Sequence, residues 1–434
     1  MSWRIDKCHA SCSLRPDAGA LLLRAGGLGP PTVIRPMIRM LLFSICLVLA
    51  APVAQAQPTL SKVRIGEHPG KTRFVMELSE APRYRVFALP DPFRVVIDLP
   101  ELRWASGENE GRGDRKGGLI AAMRFGLFAP GTSRVVLDLH APGQVGQVFV
   151  LPPEGNYPYR LVVDVVPVSR ARFLAARAGS MVSDPPLDPT ASAFAPPPKP
   201  KADERPTIVI DPGHGGVDPG SRSLTGVDEK KIALAYAREL KRQLEARGRY
   251  RVVLTRDKDI FLRLRDRIGF AERMEGDLFV SLHANNHDSG RIRGASVYTL
   301  SDTASDAEAA ALAAKENKAD IIAGINLSDQ TEVVSKILID LAQRETMNLS
   351  KQFANGLVDE MGKVTKLLGN THRSAGFAVL KSATVPSILI EIGYLSNKAE
   401  ERLLRSKKHR IVVSRAIAAA IETYFEQQTT LNRI

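Results

Sequence analysis

The sequence predicts a multidomain protein: an N-terminal all-β sandwich followed by a C-terminal α/β domain with a mostly parallel sheet flanked by helices. Three observations carry this expectation. One pattern (Arg, three apolar residues, an acid, another apolar residue) recurs at RFVMEL (73–78), RVVIDL (94–99), RVVLDL (134–139) and RLVVDV (160–165). From Thr207 onward, short apolar runs alternate with segments of helical periodicity. Between the two regions, DPPLDPTASAFAPPPKP (184–200) is too rich in Pro and Ala to build a core and reads as a semi-rigid spacer. A chain of 434 residues is also too long for one ordinary core.

Residues 1–56 read as an upstream extension and a signal. MIRMLLFSICLVLAAPVAQA (37–56) has a basic start, an apolar run and an Ala-Gln-Ala ending, the form of a secretory signal cleaved after Ala56. No twin-arginine pair precedes it, so a Sec-type route is expected. Residues 1–36 sit awkwardly upstream of a signal, which makes Met37 or Met40 the expected true start. The apolar run is short for a membrane span, and a membrane-anchored form is the alternative. All three cysteines (Cys8, Cys12, Cys46) precede residue 57, so a processed chain would carry no thiol into an oxidising compartment.

Composition narrows the class. Apolar content of 44% with 25% charged residues excludes a disordered or membrane-embedded chain. Residues 1–56 hold six Lys/Arg and two Asp/Glu, a net +4, which leaves +9 of the formal +13 on the remainder. That balance suits an anionic polymer or a membrane surface, although dispersed surface charge explains most of it equally well. No nucleic-acid motif accompanies the charge, and that partner is not expected.

The β module spans 57–168. Its four repeats are β-branched runs divided by Pro, Gly and Asn turns, with further strands expected at 84–89 and 145–151. The repetition suggests two related halves, and the charged, Gly-rich stretch 106–118 marks a long loop. A linker over 169–206 leads to the α/β domain at 207–428. There, strands are expected at TIVI (207–210), VVLT (252–255), LFVSL (278–282), ASVYTL (295–300), FAVL (377–380) and SILIEI (387–392). Helices are expected at 229–247, 262–274, 346–361 and 409–426, the first carrying Ile232, Tyr236, Leu240 and Leu244 on one face. An additional segment, 302–345, is Ala-rich and acidic, then amphipathic through Val333, Ile337 and Leu341, and reads as an insertion with its own helices.

Ligands of open α/β sheets sit at the carboxyl ends of strands. His214 follows TIVI through Asp-Pro-Gly, and His283 directly follows LFVSL, so both imidazoles leave one sheet edge. Glu229 opens the first helix and would project past the same edge. Three mixed nitrogen and oxygen ligands with one open position is the usual design of a catalytic zinc site. Each residue alone has an ordinary alternative: a structural histidine, or a glutamate beside a helix dipole. Glu391 lies inside the apolar strand ILIEIG, where an unpaired carboxylate is costly to bury. It needs a partner, for which Arg267 and Arg373 are candidates, or a task as general base beside the metal's open position. Asp211, Gly213, Gly215 and Gly216 are expected to shape the His214 loop. His372 reads as a loop histidine before a strand, and His287 as non-ligating.

These segments, IVIDPGHGG (208–216), Glu229, SLHANN (281–286) and SILIEIGYLSN (387–397), resemble the zinc-dependent N-acetylmuramoyl-L-alanine amidases of the third amidase class, over about 206–427. The β module is similar to the AMIN targeting domain of their periplasmic members. The resemblance implies zinc (Zn2+) held by His214, Glu229 and His283, with Glu391 as catalytic acid and base. It implies hydrolysis of the amide between N-acetylmuramic acid and L-alanine in peptidoglycan, for wall remodelling and daughter-cell separation, in the periplasm. The 302–345 segment resembles the one that folds over the zinc site in the cell-division members and supplies an inhibitory acid. Glu316 is the first candidate and Glu308 the second; the alternative is a solvated acidic helix face shared with Asp320. Relief by a periplasmic activator with a degenerate metallopeptidase domain is implied, and no stable membrane span in the mature form. Two other functions stay open: a zinc peptidase or carboxypeptidase on stem peptides, and a non-catalytic wall-binding protein.

Overall fold

The computed structural model describes residues 57–104, 112–113, 117–175, 181–182, 205–325 and 336–431. The expected signal, its start site and the Pro-rich spacer lie outside the described residues.

The N-terminal module is a sandwich of two sheets. Its strands are β1 (Thr59–His68), β2 (Lys71–Leu78), β3 (Arg85–Leu89), β4 (Arg94–Pro100), β5 (Arg103–Trp104), β6 (Arg112–Gly113), β7 (Ile120–Ala129), β8 (Thr132–Leu139), β9 (Gly143–Leu151) and β10 (Tyr159–Pro167). A short helix α1 (Arg170–Ala175) and a two-residue strand β11 (Met181–Val182) follow. One sheet has the order β5-β1-β2-β10-β9, the other β11-β3-β4-β8-β7-β6. Alternate residues of the repeats, among them Phe74, Met76, Val95, Ile97, Val135, Leu137, Leu161 and Val163, fill the core between the sheets. The segment read as a linker therefore lends one short strand to the second sheet, Met181 pairing with Val86.

The repeated motif has a structural reason. β2 pairs antiparallel with β10, and β4 with β8, so each arginine of one copy faces the acid of the other: Arg73 opposite Asp164, Asp98 opposite Arg134, Arg94 opposite Asp138. Two of these pairs close directly, Arg73 Nε to Asp164 Oδ1 at 2.7 Å and Arg134 Nε to Asp98 Oδ1 at 2.6 Å. Asp138 is instead taken by Arg124, with Nε at 2.9 Å from Oδ2. Arg94, displaced from its cross-strand acid, donates to the carbonyls of Pro90 and Pro92 at 3.1 and 2.9 Å.

The C-terminal domain comprises β12 (Thr207–Pro212), α2 (Glu229–Glu245), β13 (Arg251–Leu254), α3 (Leu264–Arg273), β14 (Leu278–Asn285), β15 (Ala295–Leu300), α4 (Ala307–Glu316), α5 (Ala319–Ile322), α6 (Lys336–Gly362), β16 (Leu367–Ala375), β17 (Ser387–Tyr394), α7 (Lys398–Arg405) and α8 (Lys407–Leu431). The sheet order is β13-β12-β14-β17-β15-β16. The first four strands are parallel, β15 runs antiparallel to β17, and β16 parallel to β15. Ile208, Ile210, Ile388 and Ile390 face α2, α6 and α8, whereas Val209, Phe279 and Leu389 face α3 and α4. Helices thus cover both faces, and burial on two sides explains the continuous apolar runs.

Three elements differ from the sequence expectation. FAVL (377–380) forms a 3-10 turn over Ala378–Leu380 rather than a strand. Its side chains Phe377, Val379 and Leu380 bury beside Phe270 of α3, so apolarity there reflects packing without pairing. The polar stretch before it is an edge strand instead: β16 places His372 opposite Val297, with its ring Nε2 3.1 Å from Thr299 Oγ1 and Nδ1 2.9 Å from Asn355 Oδ1. An edge strand tolerates polar residues because one flank has no neighbour. Helix α6 also starts earlier than expected, so the insertion's last part is continuous with it.

Candidate metal centre

β12 and β14 lie side by side, Pro212 opposite Leu282, and their ends deliver His214 and His283 to one point. His214 sits at φ 59°, a left-handed conformation rare for a residue with a Cβ and costly unless the surroundings enforce it. Two buried arginines supply that enforcement. Arg267 donates to the carbonyls of Pro212 at 2.9 Å and His214 at 2.8 Å, and Arg256 to those of Pro212 at 3.0 Å and Gly213 at 2.8 Å. Asp211 anchors the base of the loop through Arg267 Nη1, Thr255 Oγ1 and Ser281 Oγ, at 2.8, 2.5 and 2.8 Å. Gly213 is required by contact: a Cβ there would stand 2.4 Å from the His283 ring.

Asp218, which the sequence reading passed over, fixes the His214 ring. Its Oδ2 lies 2.8 Å from His214 Nδ1, which holds the Nδ1 proton and turns Nε2 toward Glu229 and Glu316. The only signal was its position four residues after His214. Glu229 opens α2 and is fully buried, its Oε2 accepting from Ser221 N at 2.8 Å and its Oε1 from Ala284 N at 2.9 Å.

Four acceptors then converge. His214 Nε2 is 3.1 Å from Glu229 Oε1 and 3.3 Å from Glu316 Oε2. His283 Nδ1 is 3.1 Å from Glu229 Oε1 and 3.4 Å from Glu316 Oε2. His214, His283 and Glu316 offer ligand atoms within 4.8 Å of one another and could hold a metal ion, with Glu229 touching both imidazoles. His214 Nε2 is buried and has no hydrogen-bond partner among the described residues. Burial opposes charge on this ring, but Asp218, Glu229 and Glu316 around it hold its pKa well above the usual histidine value. Burial likewise works against ionised Glu229, and the His214 charge keeps its carboxyl well below the usual range. A point that demands a positive charge and offers two nitrogens and two carboxylates fits a divalent cation.

Glu391 is placed one strand away, directly opposite His283 on β17. It is fully buried, and neither carboxylate oxygen has a hydrogen-bond partner among the described residues. Burial first, then the neighbouring Glu229 and Glu316, push its pKa well above the carboxylate range. The arginines that offered it an ordinary partner are engaged elsewhere: Arg267 with Asp211 and Arg373 with Glu308, at 2.8 and 2.7 Å. Glu308 is thus held by Arg373 and makes no ion pair with either imidazole among the described residues. His287 accepts from Ser289 N at 2.9 Å within its own turn.

The site is nearly filled. The cavity between His214, His283, Glu316, Asn317, Phe377 and Val379 measures 10 Å³, about one water's worth. Asn317 fastens the end of α4 over it, donating to Gly376 O at 2.9 Å and accepting from Ala378 N at 2.7 Å.

Comparisons with known proteins give the family. Residues 208–423 match the N-acetylmuramoyl-L-alanine amidase family model and residues 62–165 the AMIN domain. The N-acetylmuramoyl-L-alanine amidase AmiC of Neisseria meningitidis serogroup B is 34% identical over 389 residues, covering 87% of this chain and 92% of its own. AmiC of Escherichia coli O6:H1 is 33% identical over 404 residues, covering 91% and 95%. AmiA of Escherichia coli K12 is 37% identical over 231 residues, covering 52% and 80%. The chain belongs to the N-acetylmuramoyl-L-alanine amidase family, as a peptidoglycan amidase with an AMIN domain ahead of its catalytic domain.

Proposed function

We propose that the chain is an exported zinc amidase held off by its own insertion. His214 Nε2, His283 Nδ1 and Glu229 hold the metal, and Glu391 is the acid and base that cleaves the amide between N-acetylmuramic acid and L-alanine. The observation carrying this reading is the convergence of two imidazoles and two carboxylates on one buried point beside an unpartnered Glu391.

Zinc bound there would supply Lewis acidity for the scissile carbonyl and bring the pKa of water near neutrality. The chain's own residues do the rest. Asp218 keeps the His214 proton on Nδ1, and the backbone donors of Ser221 and Ala284 hold Glu229 in place. Glu391, with both oxygens free, takes a proton from the attacking water and delivers it to the leaving nitrogen of L-alanine.

Glu316 takes the position that water and substrate need, and the 10 Å³ cavity leaves no room for a peptidoglycan strand. Activity therefore requires α4 to withdraw, and by resemblance a periplasmic activator with a degenerate metallopeptidase domain drives that withdrawal. Export through the 37–56 signal and a cysteine-free processed chain suit wall chemistry at the division site. No described helix is long and apolar enough to cross a membrane.

Product analysis on purified sacculi tests the reaction. Stem peptides released with a free L-alanine amine, in a reaction abolished by chelator and restored by zinc, are expected. Loss of terminal D-alanine instead, or chelator-insensitive release, would overturn it.

A further inference from the structure

The four-copy motif of the sandwich leaves an arginine face directed at the blocking segment. Arg94 Nη1 donates to Ile321 O and Arg124 Nη1 to Ile322 O. Arg134 Nη1 donates to Ala323 O at 3.0 Å and Gly324 O at 3.1 Å. These carbonyls lie at the end of α5 and in the turn just beyond it, where cations are favoured; Ile321 O also accepts from Gly324 N at 2.9 Å. The three guanidiniums thus hold 321–324, the end of a short helix that begins three residues after Glu316.

Apolar contact seals the same junction. Val96 and Val136, on the outer side of β4 and β8, pack with Ala323, Val217 and Phe261. The turn at Gly324 adopts φ +76°, and a Cβ there would stand 2.9 Å from Val96 Cγ2, so the approach is close enough to demand glycine. Phe261 N donates to Leu127 O at 3.0 Å, joining the two domains beside it, and on the catalytic side Asp320 Oδ1 accepts from Leu264 N, at the start of α3, at 3.0 Å. Residues 317–324 are therefore gripped between the sandwich and the catalytic domain, and Glu316 stands at the gripped end of α4.

We propose that the AMIN sandwich is a clamp on the blocking segment: Arg94, Arg124 and Arg134 are positioning residues that act through Glu316 to keep the metal site closed. This rests on the reading of Glu316 as the block. Engagement of the sandwich by anionic wall polymer, which the basic balance of the chain suits, would then bias the site toward opening whenever it draws the arginine face away from 321–324. Targeting and activation become one event rather than two.

The test uses the full chain. Arg94→Gln with Arg124→Gln removes two caps while leaving the core pair Arg134–Asp98 intact. Val96→Lys independently disturbs the docking face and leaves a lysine that solvent accommodates once the segment lifts. Hydrogen exchange of the metal-free protein is read over 316–324, with β2 and β10 of the far sheet as the internal standard of folding. Both variants are expected to raise exchange over 316–324 and to raise basal release from sacculi roughly tenfold. Neither should add to the gain from Glu316→Ala, and Arg94→Lys with Arg124→Lys should restore part of the closure. Unchanged exchange and release in both variants, with Glu316→Ala still activating, would overturn the clamp and leave the block standing. No gain from Glu316→Ala would overturn the block and the clamp's effect on turnover; exchange over 316–324 would still decide whether the sandwich holds the segment.

Discussion

Glu316 Oε2 stands 3.3 Å from His214 Nε2, closer than an accidental neighbour has reason to be in a fully buried site. Burial alone would raise the Glu316 pKa, yet Lys315 and the two imidazoles hold it below the usual carboxylate range. The carboxylate is thus ionised where a fourth metal ligand would lie. Lys315, whose Nζ is 3.2 Å from Glu316 Oε1 and 2.9 Å from Ser221 Oγ, braces it from the solvent side.

Removing the metal ligands should separate binding from folding. His283→Ala is expected to abolish zinc retention after gel filtration while the far-ultraviolet circular dichroism stays that of the parent. Metal analysis of the purified variant checks this; stoichiometric zinc in the variant would remove His283 from the ligand set.

In the proposed site, Asp218 would act on the metal through His214. Asp218→Asn keeps the size of the side chain but weakens its hold on the Nδ1 proton. Zinc affinity should fall about 10–100-fold, measured by competition with a chromophoric chelator. An unchanged affinity would reduce Asp218 to a packing role.

Gly213→Ala places a methyl group 2.4 Å from the His283 ring, and the ring must rotate away from the metal point. Weaker zinc binding with little change in melting temperature is expected. The backbone of Gly213 does not need a positive φ, so the effect isolates the contact from strain.

Glu391→Gln should lower turnover by about 10²–10⁴-fold while zinc stays bound. It also has a stability signature in the metal-free protein. Because burial and its acidic neighbours raise the folded-state pKa of Glu391, the stability it confers is fully present below the unfolded value of about 4.3 and is lost as pH rises toward the folded value. Removing that ionisation should make the variant the more stable of the two at neutral pH. Melting curves at pH 4 and 7 on chelated samples check it; a parent-like slope in the variant would contradict it.

The parts legible in the sequence are those encoded locally. TIVI and LFVSL alternate between two buried faces, so the strand ends that deliver His214 and His283 could be placed from apolar runs alone. The repeats announced strands through their β-branched runs, and the structure shows why they repeat: the arginine of one copy faces the acid of another across the sheet. FAVL misled because burial without hydrogen-bond pairing looks the same in sequence as a short strand. β16 was missed because a polar edge strand is defined by its neighbour, not by its own composition. Asp218, Lys315 and the contacts of Arg94, Arg124 and Arg134 with 321–324 depend on loop geometry or long-range docking, which no local pattern encodes.

The guarded metal site is tested most directly by basal release from labelled sacculi with zinc-loaded parent and Glu316→Ala chains, side by side and without any activator. A rise of roughly tenfold or more in the variant, at equal zinc content, is the predicted result. Equal rates at equal zinc content would mean that Glu316 does not close the site.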